Sequence, residues 1–168
     1  MRRLVLILGA CLALAVAGCG SDDSSTTSSS AGEETSGSQQ AEAPAKKTKP
    51  QVKPPSGAPP KELVTKDLEE GTGPAAKAGD EVTVQYVGVN YKSGKEFDSS
   101  WSRSEPFPFE LGAGLVIPGW EQGIEGMKAG GRRELIIPPE LGYGPAGSPP
   151  VIPPNETLIF VVDLEGIE

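Results

Sequence analysis

The chain has 168 residues, with 15 Lys+Arg against 23 Asp+Glu and a net charge of −8. It contains no histidine, which removes the commonest general base and the commonest metal ligand. Its two cysteines, Cys11 and Cys19, both lie near the start, so neither a thiolate metal cluster nor a disulfide framework is available downstream.

The first residues read as a targeting segment. Met1-Arg2-Arg3 is a basic start, and Leu4 to Ala17 is an apolar run, too short to span a membrane comfortably but right for the core of a signal peptide. The run ends in Val16-Ala17-Gly18-Cys19, which resembles a bacterial lipobox: a small-residue cleavage site followed by the cysteine that takes the lipid. The alternative is an ordinary signal peptide with a chance cysteine. Residues 1–18 are therefore expected to be removed. Cys19 would become a two-chain lipid anchor on the outer face of a bacterial membrane, which is stable where one acyl chain is not.

Residues 19–60 are of low complexity, Ser/Thr/Gly/Asp-rich at first and then Ala/Lys/Pro-rich. They contain too few apolar residues to offset the entropy of ordering, so a disordered tether is expected. As a flexible coil it would average roughly 35 Å end to end. The lysines 46, 47, 49 and 53 read as solvated linker charge, or as a contact to anionic lipid or wall polymer.

Residues 61–168 form the expected folded domain, with 9 Lys+Arg and 18 Asp+Glu. A domain this acidic is a poor nucleic-acid binder, because phosphate contacts supply most of that affinity. Strands are predicted over residues 63–69, 82–87, 96–99, 107–111, 132–137 and 157–164, with Val82, Val84 and Tyr86 alternating against polar neighbours. Lys92-Ser93-Gly94-Lys95 reads as a hairpin-type turn. In "IPGWEQGIEGMKAGG", Trp120, Ile124 and Met127 form one apolar stripe, Pro118 can open a helix and Gly130-Gly131 must end it. A single greasy helix needs a sheet to cover. The fold class expected is α+β: a twisted antiparallel sheet of about five strands wrapped around one short helix.

Familiar catalytic motifs are missing. Gly71-Thr72-Gly73-Pro74-Ala75-Ala76 formally fits a dinucleotide fingerprint, but no helix follows it, and it reads as a turn. There is no Walker loop, no Gly-x-Ser-x-Gly elbow and no metal-ligand cluster. Taken singly, Trp120, Phe107 and Phe160 read as core, Asp98 as a turn cap, Arg103 as a surface charge and Tyr143 as a turn aromatic.

Taken together and in order, "VTVQYVG", "GKEFDSS", "SRSEPF", "GLVIPGWEQGIEGMKAGGRRELIIPPELGYG" and "PPVIPPNETLIFVVDL" closely resemble the FKBP-type peptidyl-prolyl cis-trans isomerases. The resemblance covers essentially all of residues 61–168. It implies a prolyl isomerase with no cofactor, with Trp120 flooring a pocket and Tyr86, Phe107, Val116, Ile117 and Phe160 walling it. Phe97 and Ile152, with Val151 beside it, match further substrate contacts. Asp98 matches an acid held by Arg103, Tyr143 a hydroxyl that bonds a bound carbonyl, and Ile117 a backbone N–H donor. Asp98, Tyr143, Tyr86 and Phe160 are the expected catalytic set. Ser148 departs from relatives that carry histidine in the same loop.

Proline-containing unfolded segments are the expected partners, macrolides the expected inhibitors, and a monomer the expected state. A lipid-anchored isomerase assisting exported proteins is one reading. A Pro-peptide-binding module or holdase using the same pocket is the alternative, and a single lobe of this size argues against a transporter's solute-binding lipoprotein.

Overall fold

A computed structural model describes residues 47–168. The signal segment, Cys19 and the first part of the expected tether lie outside the described residues. The elements in chain order are β1 (Val64–Glu69), β2 (Glu81–Asn90), β3 (Glu96–Ser99), α1 (Ser100–Arg103), β4 (Phe107–Glu110), α2 (Pro118–Ile124), β5 (Arg132–Ile137), a 3-10 turn (Pro139–Leu141) and β6 (Leu158–Ile167).

The sheet has six strands rather than about five, ordered β1-β5-β6-β2-β3. Every pairing is antiparallel. β3 and β4 share one edge of β2: β4 pairs with Glu81–Val84 and β3 with Val87–Val89. The long strands β2 and β6 form the centre, in register from Val82↔Ile167 to Asn90↔Leu158.

Alternation along the strands sorts side chains to two faces. Val82, Val84 and Tyr86 of β2 join Leu135 and Ile137 of β5, and Leu158, Phe160, Val162 and Leu164 of β6, in the main core. α2 covers this face with Trp120 and Ile124. Its glycines allow the approach: a Cβ on Gly119 would lie 2.4 Å from Ile137 Cγ2, and one on Gly123 2.7 Å from Leu135 Cδ2. Val87, Val89, Tyr91, Ile136 and Ile159 form a second cluster on the opposite face.

Three features depart from expectation. α2 stops at Ile124, well before the paired glycines. Gly126 turns the chain at a φ of +75°, and its N–H donates to the Ala76 carbonyl at 2.8 Å, drawing the chain toward the β1–β2 loop. Met127 still fills the core, although it lies beyond the helix.

A second helical turn, α1, occupies Ser100–Arg103 and ends in Ser104 at a φ of 55°. Four residues cannot sustain a helix alone. Ser100 anchors it by donating to Gln85 Oε1 and accepting the Tyr86 N–H at 2.8 Å.

The last part of the expected tether is not free of the domain. Val52 packs on the second cluster, and the Tyr91 hydroxyl donates to the Ala58 carbonyl at 3.4 Å. Lys47 and Lys49, read as solvated charge, are ion-paired to the domain, at 3.0 Å to Glu69 and 2.8 Å to Glu96.

Candidate active site

The main core opens at one end into a cavity of about 510 Å³. That volume suits a small organic ligand or a short stretch of peptide. Its lining includes Tyr86, Phe97, Asp98, Phe107, Val116, Ile117, Trp120, Tyr143 and Phe160. Nine of the twelve residues expected from the sequence to form the site therefore meet in one hollow.

The indole of Trp120, 4% exposed, is the hub of this hollow. Tyr86 meets it edge-on at 5.1 Å between ring centroids and 80° between planes, and Phe160 does so at 5.2 Å and 85°. Phe97 stands edge-on to Phe160 at 5.5 Å. Such T-shaped contacts place a ring's positive edge against a neighbour's negative face, and each stabilises beyond its buried area.

The strands explain the placement. Tyr86 and Phe160 come from the two central strands, Phe97 from β3 and Phe107 from β4, while α2 delivers Trp120 from the other side. Gly88 leaves the space that Phe97 and Phe160 occupy, since a Cβ there would lie 2.7 Å from atoms of both rings.

At the mouth stands a tightly connected polar group. The Tyr86 hydroxyl donates to Asp98 Oδ2 at 2.5 Å. Arg103 Nη1 donates to Asp98 Oδ1, and Arg103 Nη2 donates to the Tyr86 hydroxyl at 2.8 Å. The Ser99 N–H adds a bond to Asp98 Oδ1 at 2.8 Å. Partial burial would raise the Asp98 carboxyl, but the hydrogen bonds from Tyr86 and Arg103 and the guanidinium charge outweigh it and hold the group below its ordinary range. Burial, with the Asp98 bond next, pushes the Tyr86 phenol up. The Tyr86 bond, then the Asp98 bond, raises Arg103. Both Asp98 oxygens are engaged within the protein, so this carboxylate is a poor proton shuttle and a good fixed dipole.

Two donors remain available. Ile117 caps α2 with its carbonyl, which accepts from Trp120 N–H at 2.9 Å, while no backbone bond uses its own N–H among the described residues. Tyr143 is half-exposed on the rim, and burial followed by the Asp98 charge raises its phenol.

Three expected residues lie elsewhere. Arg103 stands behind Asp98 rather than in the wall. Val151 is 48% exposed on the loop after the 3-10 turn, where its carbonyl accepts from Asn90 Nδ2. Ile152, its chain neighbour, points into the main core instead, and bridges back to Ser148.

The structure also adds wall residues that the sequence did not single out. Leu115, 70% exposed, and Pro118 line the cavity. The Gly112–Leu115 loop is fixed by Glu121 of α2, whose carboxylate accepts the N–H groups of Gly112 and Gly114. An acid one residue past Trp120, nine from a Gly-x-Gly loop, was the signal available for this clamp.

Comparison with known proteins agrees with this geometry. The family model FKBP_C, FKBP-type peptidyl-prolyl cis-trans isomerase, matches residues 73–165. An FK506-binding protein of Streptomyces anulatus is 57% identical over 120 residues, 71% of this chain and 97% of that protein. A probable FK506-binding protein of Corynebacterium glutamicum is 49% identical over 116 residues, 69% of this chain and 96% of that one.

Among solved structures, FkpA from Escherichia coli superposes with a TM-score of 0.58 at 48% identity, covering 63% of this chain and 48% of that chain. AtFKBP13 does so with a TM-score of 0.59 at 40% identity, covering 63% and 93%. With the aromatic hollow, the Tyr86–Asp98–Arg103 group and these likenesses in place, the chain belongs to the FKBP-type peptidyl-prolyl cis-trans isomerases.

Proposed function

We propose that this protein rotates X-Pro bonds in exported, incompletely folded chains while held to the outer face of the cell membrane through Cys19. The observation that carries the mechanism is the self-contained polar group at the mouth of an aromatic cavity: Asp98 is fully engaged by Tyr86, Arg103 and the Ser99 N–H. No proton is needed, because rotation about an amide makes and breaks no bond.

The barrier to that rotation is about 20 kcal/mol, and it arises from resonance that charges the carbonyl oxygen. The twisted amide loses the resonance and is less polar. Transfer from water to rings such as Trp120, Phe160 and Phe97 therefore disfavours the planar ground state more than the twisted form. This is differential binding, the general source of catalysis. A ten-thousand-fold acceleration requires roughly 5.4 kcal/mol of such preference. The Ile117 N–H and the Tyr143 hydroxyl hold the flanking carbonyls, and Asp98 fixes Tyr86 and directs a dipole at the turning group.

A refolding assay limited by prolyl isomerisation, run on the chain from Gly20 onward, tests the activity. Turnover that is lost in Asp98→Val with Trp120→Ala and blocked by FK506, as the relatives' names suggest, supports the reading. A refolding rate equal to buffer leaves a Pro-peptide binder or holdase. Incorporation of labelled palmitate that disappears in Cys19→Ser tests the anchor, and the same protein released in soluble form without label would refute it.

A further inference from the structure

The segment Lys47–Pro60 crosses the sheet face opposite α2, and its contacts are distributed along its length. At its start, Lys47 Nζ lies 3.0 Å from Glu69 Oε2 and 3.4 Å from Asp163 Oδ1, and Arg132 Nη2 donates to the Thr48 carbonyl at 2.8 Å. In its middle, Val52 packs on the cluster that includes Val87 and Ile159. Anchors this far apart in the chain act as one docked strap, since each reduces the entropy cost of forming the next.

Lys49 links this strap to the active site. Its Nζ donates to Glu96 Oε1 at 2.8 Å and to Ser102 Oγ at 3.1 Å. Glu96 immediately precedes Phe97 and Asp98 on β3, and Ser102 immediately precedes Arg103 on α1. One ammonium thus ties together the two short elements that supply the acid and its guanidinium. Trp101 of α1 packs on the same cluster as Val52, which is a second link between strap and site.

α1 is only four residues long, so its geometry depends on such outside contacts. We propose that Lys49 is a positioning residue: the docked strap sets the spacing of β3 and α1, and through them the alignment of Arg103 with Asp98. The proposal rests on the reading of Asp98 and Arg103 as part of the site.

The test uses the chain from Gly20 onward and compares Lys49→Met, Lys49→Arg, Val52→Asp and Asp98→Val. Lys49→Met should lower kcat by about threefold to fivefold with KM little changed. It should speed amide hydrogen exchange over Ser99–Ser104 while leaving β5 and β6 unaltered, and Lys49→Arg should restore both. Val52→Asp, which undocks the strap, should give the same signature at larger amplitude.

Kinetic constants unchanged in Lys49→Met and Val52→Asp, with exchange raised evenly or not at all, would reduce the strap to a mere cover and overturn the proposal. If that occurs while Asp98→Val loses turnover, only the role of the strap fails. If Asp98→Val is itself fully active, the reading of the site fails and this inference with it.

Discussion

Arg103 and Asp98 are joined in a closed triangle with Tyr86: one guanidinium nitrogen holds the carboxylate, and the other donates to the phenol that the carboxylate already accepts from. Removing the cation leaves the phenol and the acid paired but free to swing. Arg103→Leu should therefore lower kcat/KM by about tenfold, the scale of one hydrogen bond to a charged group. Because Arg103 is half-exposed, the thermal midpoint should hardly move. Parallel isomerase assays and thermal melts check this, and a large fall in the midpoint would mean that the triangle serves folding first.

The same triangle predicts a pH dependence. The Asp98 carboxyl is held below its ordinary value near 3.8, so the native state favours the ionised form. Its contribution to stability is complete above the unfolded-state value and fades as pH falls through the lower native one. The stability gap between wild type and Asp98→Asn should stay constant from about pH 8 to pH 5 and close only below about pH 4. Urea unfolding across that range measures the gap. A gap that closed near neutrality would rule out a lowered carboxyl.

Gly88 carries a steric prediction. A methyl group there would press on the rings of Phe160 and Phe97, and both belong to the cavity wall. Gly88→Ala should cost about 1–3 kcal/mol of stability, as overpacking does. Ligand affinity should fall with it, because the displaced rings shape the hollow. A stable variant with unaltered affinity would show that the rings can yield without consequence.

Tyr143 separates binding from folding. Its hydroxyl stands on the rim of the cavity, and its ring is already half-exposed. Tyr143→Phe should keep the wild-type melting curve while weakening a carbonyl-bearing ligand by up to about tenfold, the value of one hydrogen bond. Titration followed by Trp120 fluorescence would read the affinity, and equal affinity would mean that the phenol takes no part in recognition.

The sequence displays some of this site and conceals the rest for physical reasons. Strand alternation puts Val82, Val84 and Tyr86 on one face, and the resemblance of the ordered motifs points to Trp120, Phe160 and Asp98. Val151 and Ile152 were beyond reach, because in an irregular loop no period says which neighbour turns inward. α1 was hidden because four residues are too few to show a helical period. The early end of α2 depends on a bond between Gly126 and Ala76, distant in sequence. The strap escaped for a similar reason: its composition is that of a linker, and it docks through one valine and charges whose partners, such as Asp163, lie far along the chain.

Tyr86 and Phe160 stand on β2 and β6, two of the three strands with partners on both sides, and both rings meet the indole of Trp120 edge-on. Rings braced by their neighbours in this way are preorganised, so little side-chain freedom remains to be lost on binding. Discrimination is then expected to fall on the bound segment, which has to present a bend that fits the hollow.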